Sequence, residues 1–207
     1  DVMHRSKDLR EAYNNFYVEP LKEDQEIRDF YVQRPDSVSP MQDLLDRIDL
    51  ASRREKYLFL GFRGSGKSTE LYRLEAALDK NRFLVVNYSI RDDLNLSDFD
   101  FRDFFVSMAL KVYDIARVEG IALHPDIEED FKDFTRRITS ITEEEVTSQS
   151  SAGLSWSQIL TLKLSREAKT RECLRKELDQ KISDLIQRLN WLILDIEEKS
   201  EKELVII

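Results

Sequence analysis

The segment from Tyr57 to Leu78 constrains the fold of this chain more than any other part of the sequence. It reads YLFLGFRGSGKSTELYRLEAAL, in which four apolar or aromatic residues precede a glycine-rich loop and leucines at helical spacing follow it. The loop, Gly61 to Ser68, fits GxxxxGK(S/T), a pattern whose backbone amides cradle phosphate groups. Three of the five glycines of the chain fall in it. We therefore predict a short buried strand at Tyr57–Leu60, a phosphate-binding loop (P-loop) and a helix.

Each residue type in this loop has a chemical reason. Glycines let the backbone approach an anion closely and permit positive φ. Lys67 supplies a mobile charge for the β- and γ-phosphates and is the predicted catalytic residue, while the Ser68 hydroxyl is the predicted Mg2+ ligand. Thr69 is placed to donate toward the α-phosphate. The predicted cofactors are ATP and Mg2+, and the predicted cofactor-binding residues are Gly61, Phe62, Arg63, Gly64, Ser65, Gly66, Lys67, Ser68 and Thr69.

The composition argues against several classes of protein. The chain has 207 residues, 35% of them charged and 41% hydrophobic, with a formal net charge of -9. This balance fits a helix-rich globular domain and does not indicate a nucleic-acid or membrane-surface binder. Cys173 is the single cysteine, which fits a reducing cytosol. Because no stretch approaches the roughly 18 apolar residues of a membrane span, we expect a cytoplasmic protein without a membrane partner.

Shifts in composition predict the domain organisation. Residues 1–38 contain an amphipathic helix followed, from residue 19, by an irregular connector rich in charge and proline. Residues 39–207 form the predicted P-loop core, with a helical or hairpin insertion at about 120–168. Within this insertion Ile159 to Leu164 alternates in polarity, which is the pattern that admits a hairpin.

Caps and periodicity predict the other elements of the core. Arg82 to Ile90 is short, β-branched and aromatic, so it is predicted as a second strand parallel to the first. Helices are predicted after Ser39-Pro40, after Asp98-Phe99-Asp100 and after His124-Pro125, where capping residues precede apolar periodicity. Thr170 to Glu198 carries apolar residues at steps of three and four and is predicted as one unbroken helix.

Most P-loop ATPases hold Mg2+ with an acid at the end of a second hydrophobic strand, the Walker B element. One candidate is Asp195 in the run Leu192 to Glu198, but this run continues the helical stripe from Leu174, which places Asp195 on a helix. The favoured alternative is Leu204–Ile207, a β-branched run after a polar linker, with the acid beyond Ile207. This interpretation predicts that the chain is the N-terminal piece of a longer ATPase.

Three segments together resemble the N-terminal portion of bacterial AAA or STAND-type ATP-binding proteins: GFRGSGKSTELYRLEAAL, the upstream FYVQRPDS and the downstream TRECLRKELDQKISDLIQRLN. The similarity covers most of residues 6–207. It implies a Walker B strand after the long helix, then a sensor region and a C-terminal helical part, with nucleotide-dependent self-association and a signalling or defence role. In many P-loop ATPases the segment before the first core helix covers the adenine, so Tyr31 and Val32 are candidates for that contact, and packing of the connector is the equal alternative.

The predicted fold class is α/β, a P-loop NTPase-like parallel sheet flanked by helices, incomplete at its C-terminal end, with a helix-rich insertion. The predicted function is an ATP-binding module that couples nucleotide binding or hydrolysis to conformational change and assembly into a homo-oligomer. A small-molecule or nucleoside kinase is the first alternative, although Arg136-Arg137 is the only arginine pair after the loop and such kinases use arginine-rich lids. A non-catalytic, nucleotide-stabilised scaffold is the second, and the choice between ATP and GTP stays open.

Overall fold

A computed structural model of the chain describes residues 6–14, 19–22, 24–32, 40–140 and 155–207. Packing divides the chain into two units, Asp1–Asp79 and Lys80–Ile207. We call them the loop unit and the helical unit. The predicted domain boundary after residue 38 and the predicted limits of the insertion remain predictions.

The loop unit contains helices connected by irregular segments. Helix α2 corrects the prediction of an irregular connector, because an amide–carboxylate bond from Gln25 Nε2 to Asp29 Oδ2 (2.8 Å) stabilises one turn of helix within a polar run. Helix α3 begins at the predicted proline and packs against α4, the helix that follows the P-loop. The helices are α1 (Leu9–Asn14), α2 (Asp24–Phe30), α3 (Pro40–Leu50) and α4 (Lys67–Ala77).

The predicted buried strand at Tyr57–Leu60 is wrong in this structure. These residues have no assigned secondary structure, and Leu58 and Leu60 are 81% and 77% exposed. A strand requires a neighbour to satisfy its backbone hydrogen bonds and to cover its side chains. Within the described ranges no other strand pairs with this run, so the apolar pattern before the loop is not realised as sheet.

In the helical unit all the helices follow one short strand and precede another along the chain. A 3₁₀ turn at Leu96–Asp98 precedes the longest run of helices. The elements are β1 (Phe83–Val86), α5 (Ile90–Asp93), α6 (Phe101–Val118), α7 (Pro125–Thr139), α8 (Trp156–Arg166), α9 (Ala168–Leu178), α10 (Ile182–Ser200) and β2 (Glu203–Ile206).

The two strands pair in parallel, with Phe83 opposite Glu203 and Val86 opposite Ile206. Beyond the paired residues, Ile207 N donates to Val86 O (2.9 Å) and Tyr88 N donates to Ile207 O (2.8 Å). A strand within Arg82 to Ile90 and a strand at the end of the chain are therefore confirmed. The parallel neighbour of β1 is β2, and the described chain is a mixed α/β structure, mostly helical, with a small parallel sheet.

The core of the helical unit confirms the predicted apolar stripe but not the unbroken helix. The chain turns at residues 179–181, where Lys181 N donates to Leu178 O (3.1 Å). Asp179 also forms an ion pair with Arg102 at the start of α6, so a long-range contact lies at the break. The fully buried residues of the stripe are Leu174, Leu178, Leu185, Leu192 and Ile196.

The helix starts of the core follow their predicted caps. Asp100 accepts a hydrogen bond from the Arg102 amide (2.9 Å) at the start of α6, and His124 Nδ1 accepts one from the Asp126 amide (3.3 Å) at the start of α7. Ile159 to Leu164 lies inside α8, so the hairpin alternative is wrong for these residues. Ser155 forms a capping box with Gln158 that starts α8 as a helix. Residues 141–154, which belong to the predicted insertion, lie outside the described residues.

Candidate functional site

The P-loop turns through two glycines with left-handed backbone angles. Gly64 has φ 79° and Gly66 has φ 84°, and no heavy atom lies within 4 Å of a Cβ built on either. A substitution at either position would therefore be disfavoured by strain in the left-handed backbone, and not by a steric clash of the new side chain. Gly61 differs: its φ is not positive, and a Cβ there would lie 2.9 Å from Ser65 Oγ. The expectation of positive φ is confirmed at two of the three glycines, and the third provides close approach.

Helix α4 begins at Lys67, directly after Gly66, and no side chain caps it. The first amides of a helix have no intrahelical partner and need another acceptor. Within the described residues, no backbone hydrogen bond runs from the amides of Gly64, Gly66, Lys67 or Ser68 to an acceptor outside the helix. The loop thus presents a group of unpaired donors and the positive end of a helix dipole, which is the arrangement that binds an anion.

The Lys67 side chain folds back over this loop. Its ammonium nitrogen donates to Gly61 O (2.7 Å) and to Phe62 O (2.8 Å). Two carbonyl oxygens neutralise only part of a full positive charge, and both bonds are broken by rotation of a flexible side chain. Lys67 is therefore positioned next to the loop as a charge that an anionic ligand can take over.

The other predicted binding residues surround this loop in different environments. Phe62 is 91% exposed, and Arg63, Ser65 and Ser68 are exposed. Thr69 is half-buried, and its Oγ1 accepts a hydrogen bond from the Leu21 amide (3.2 Å). The Thr69 proton is left to donate to another group. The structure thus brings residues 61–69 together as one continuous loop and helix start.

Sequence reasoning missed two residues near this site. Glu70 accepts a hydrogen bond from the Tyr31 hydroxyl (2.8 Å), and Arg73 forms an ion pair with Glu70 (2.9 Å). The Arg73 guanidinium also lies 3.7 Å from the centre of the Tyr31 ring. The i, i+3 spacing of Glu70 and Arg73 was the available signal. Tyr31 thus packs on α4, as the packing alternative states, whereas Val32 is 82% exposed.

Asp195, the candidate acid within the chain, lies on α10. It is 8% exposed and accepts hydrogen bonds from the His124 amide (2.7 Å) and from Lys199 Nζ (3.2 Å). Helical placement of Asp195 is confirmed. Its carboxylate is used to hold the start of α7 against α10.

A cavity of about 390 Å³ lies elsewhere, at the C-terminal ends of α6 and α10. Its lining includes Leu84, Gly120, Lys199 and Lys202, and none of the P-loop residues. Because β2 follows α10 directly, this cavity lies near the amino end of β2, whereas ligands of parallel α/β sheets bind at the carboxyl ends. This cavity is therefore not taken as the candidate site.

Two ionisable groups a few residues before the P-loop form a hydrogen bond with each other. The Tyr57 hydroxyl donates to Glu55 Oε2 (2.7 Å). This bond lowers the pKa of Glu55 and raises the pKa of Tyr57. Within the described ranges no group of three or more His, Cys, Asp or Glu side chains is placed to hold a metal ion.

Comparison with protein-family models, with curated protein sequences and with solved structures gave no match for this chain. In the described part of the chain, no helix combines the length and hydropathy that a bilayer crossing requires. The assignment of the site consequently rests on the loop pattern and on the geometry of residues 61–73.

Proposed function

We propose that this chain binds a nucleoside triphosphate, with Mg2+, through residues 61–69. The observation that carries the proposal is the joint geometry of the loop: left-handed backbone at Gly64 and Gly66, an uncapped helix start, and the Lys67 ammonium folded over the same loop. Backbone donors and one mobile cation suit a polyphosphate, whose charge is spread over many oxygens.

The residues of the loop have separate tasks in this proposal. The loop amides bind phosphate oxygens, and Lys67 exchanges its two carbonyl partners for the β- and γ-phosphates. Ser68, exposed at the helix start, is the protein ligand that fits Mg2+, which takes its remaining ligands from phosphate oxygens and water. When bound, the ion neutralises charge on the transferring phosphoryl group. Thr69 donates its free proton toward the α-phosphate.

The proposal includes a P-loop NTPase fold and the AAA or STAND-like function that the resemblance implies. The parallel β1–β2 pair supports it, because such a fold is built on a parallel sheet. In this function, nucleotide binding or hydrolysis drives a conformational change and self-association. Sedimentation of the protein with and without MgATP tests the association, and an unchanged sedimentation coefficient contradicts it.

A second candidate function, a nucleotide-stabilised scaffold without turnover, is favoured by one observation. Asp195 lies on a helix, and its carboxylate already binds the His124 amide and Lys199, which gives it a structural task in the fold. Nucleotide binding and phosphate release, measured on the same sample, separate the scaffold from the ATPase. Binding without release favours the scaffold for this chain.

The test of nucleotide binding is a thermal shift. A ligand that binds only the folded state at about 100 times its Kd stabilises the protein by roughly 2.7 kcal/mol, so MgATP is expected to raise Tm. Lys67→Ala should remove most of this shift. Lys56→Ala is the matched control, because Lys56 is an exposed lysine in the same unit, outside the loop. A shift of equal size in wild type and Lys67→Ala would reject the P-loop assignment.

The metal role of Ser68 has its own test. Ser68→Ala should weaken ATP binding much more in the presence of Mg2+ than in EDTA, because only the first condition uses the hydroxyl as a ligand. Ser52→Ala is a suitable control, since Ser52 is an exposed serine of the same unit outside the loop. Equal losses for Ser68→Ala under both conditions would point to a damaged loop and reject the metal role.

A further inference from the structure

The segment of described residues 19–22 and 24–32, which we call the strap, contacts the first turn of α4 at both of its ends. Near one end the Leu21 amide donates to Thr69 Oγ1 (3.2 Å). At the other end the Tyr31 hydroxyl donates to Glu70 Oε1 (2.8 Å). Helix α2 lies between these two points. The two ends of the strap therefore contact neighbouring residues, Thr69 and Glu70, of the helix that starts at the P-loop.

Arg73 secures the Tyr31 end of the strap. Its guanidinium lies 3.7 Å from the centre of the Tyr31 ring and forms an ion pair with Glu70 (2.9 Å). The side chains of Glu70 and Arg73 are each 21% exposed, so the contact is shielded from water over most of its surface. Tyr31 is thus held by its hydroxyl and by its ring face at once, which fixes Glu70 as well.

These tethers act on a turn that has no cap of its own. Helix ends without a capping side chain fray, because their first amides lack partners. The strap holds Thr69 and Glu70, and the same turn carries the amides of Lys67 and Ser68 that face the candidate phosphate site. Ordering this turn before a ligand arrives removes part of the entropic cost of binding.

We propose that the strap is a positioning element of the phosphate site, coupled to bound nucleotide. The docked strap holds the first turn of α4 in the arrangement that binds an anion, and the bound anion in turn holds the strap. This inference rests on the proposed function. Coupling between two binding events is reciprocal, so release of the strap weakens nucleotide binding by the same factor by which nucleotide suppresses release.

The first experiment measures MgATP affinity in Tyr31→Phe, which keeps the ring on Arg73 and removes the hydrogen bond to Glu70. We expect Kd to rise about fivefold, the low end of usual coupling factors. Tyr72→Phe is the matched control, since Tyr72 lies on the same helix and contacts Lys22 of the strap through its ring, which is retained. Its Kd should stay at the wild-type value.

The second experiment uses the unaltered protein and so does not depend on whether a variant folds. Amide hydrogen exchange of the strap is compared without ligand, with MgATP and with magnesium tripolyphosphate, which has no base or ribose. We expect exchange at Leu21 and through α2 to slow severalfold with either ligand, because the coupling runs through the phosphate site.

The outcomes separate this inference from the proposed function. If MgATP binds but neither the exchange of the strap nor the Kd of Tyr31→Phe changes, the coupling is wrong and the nucleotide site stands. Slowing with MgATP but not with tripolyphosphate would also overturn it, because the strap would then contact the base or ribose. If neither ligand binds the wild type, the proposed function fails, and the coupling with it.

Discussion

The loop unit and the helical unit hold their residues in place by different means. In the described part of the loop unit the buried apolar side chains are Met41, Leu74 and Leu78, and the P-loop itself is mostly exposed. The helical unit instead encloses a continuous core from its strands and its helices α6 to α10. Backbone angles at two glycines and a few polar contacts define the candidate site, whereas dense side-chain packing defines the helical unit.

A network of ion pairs, some of whose members are buried, adds to this contrast. Arg175 contacts Asp98 (2.7 Å) and Asp103, and Arg171 contacts Asp98 (2.9 Å), which joins the start of α6 to α9. Asp103 and Arg171 are almost fully buried. Burying such charges stabilises a fold only when every member is paired. We therefore expect substitutions in the helical unit to change stability, and substitutions in the loop unit to change ligand binding.

The largest effect is expected for Arg175→Met. This change leaves Asp103, which is 1% exposed, without its guanidinium partner, and breaking a buried pair costs about 3 kcal/mol or more. Urea unfolding measures the loss. Lys176→Met is the matched control, because Lys176 is the exposed neighbour on the same helix. Equal losses for the two variants would show that the ion pairs do not stabilise the helical unit. They would then not distinguish it from the loop unit.

A smaller loss is expected for Asp195→Ala, which removes the acceptor of the His124 amide and the partner of Lys199. Hydrogen bonds to a charged group contribute about 2 kcal/mol, so the free energy of unfolding should fall by roughly that amount. MgATP affinity and phosphate release per folded molecule should not change. Asp195→Asn keeps an oxygen acceptor and should lose less stability. Full stability with abolished phosphate release in Asp195→Asn would show that Asp195 is catalytic.

Two glycines with similar backbone angles allow a direct comparison of the units. Gly66 in the P-loop has φ 84° and Gly120 at the end of α6 has φ 70°, and no atom crowds either one. Alanine at either position should cost about 1 kcal/mol of stability, the price of a left-handed residue with a Cβ. Only Gly66→Ala should also weaken MgATP binding. Equal MgATP affinities for the two variants would show that the backbone geometry at Gly66 does not contribute to binding.

The smallest expected effect is a change in the pH dependence of stability between about pH 4 and pH 2. Hydrogen bonds from Arg102 lower the pKa of Asp100 to about 2, from an ordinary value of 3.8. A carboxylate with a lowered pKa stabilises the folded state above the unfolded pKa, and this contribution disappears as pH falls from about 4 to about 2. Asp100→Asn keeps the cap of α6 and should flatten the loss of stability in this window. Glu172→Gln, at an exposed position of α9, should leave the pH profile of wild type unchanged.

Local signals in the sequence predicted much of the structure. The glycines at 64 and 66, the helix start at Lys67 and the caps Asp100 and His124 depend on residues within a few positions of each other. Strand β2 and the helical placement of Asp195 likewise follow from β-branched and helical patterns. Short-range geometry determines these features, so they can be predicted from the residues at and near each position.

Long-range contacts decided the features that the sequence did not predict. Helix α9 ends before Asp179, which contacts Arg102 of α6, although no glycine or proline marks the turn. Tyr31 found its partners Glu70 and Arg73 through the docking of the strap on α4.

The sequence by itself determined the left-handed turn of the P-loop and the helix start that follows it, because both depend on the backbone freedom of glycines at fixed spacing. The tertiary structure decided whether the apolar run before the loop becomes a strand. Leu58 and Leu60 have the composition of a strand, yet they are exposed because a strand exists only where a neighbour supplies its hydrogen bonds and covers its side chains.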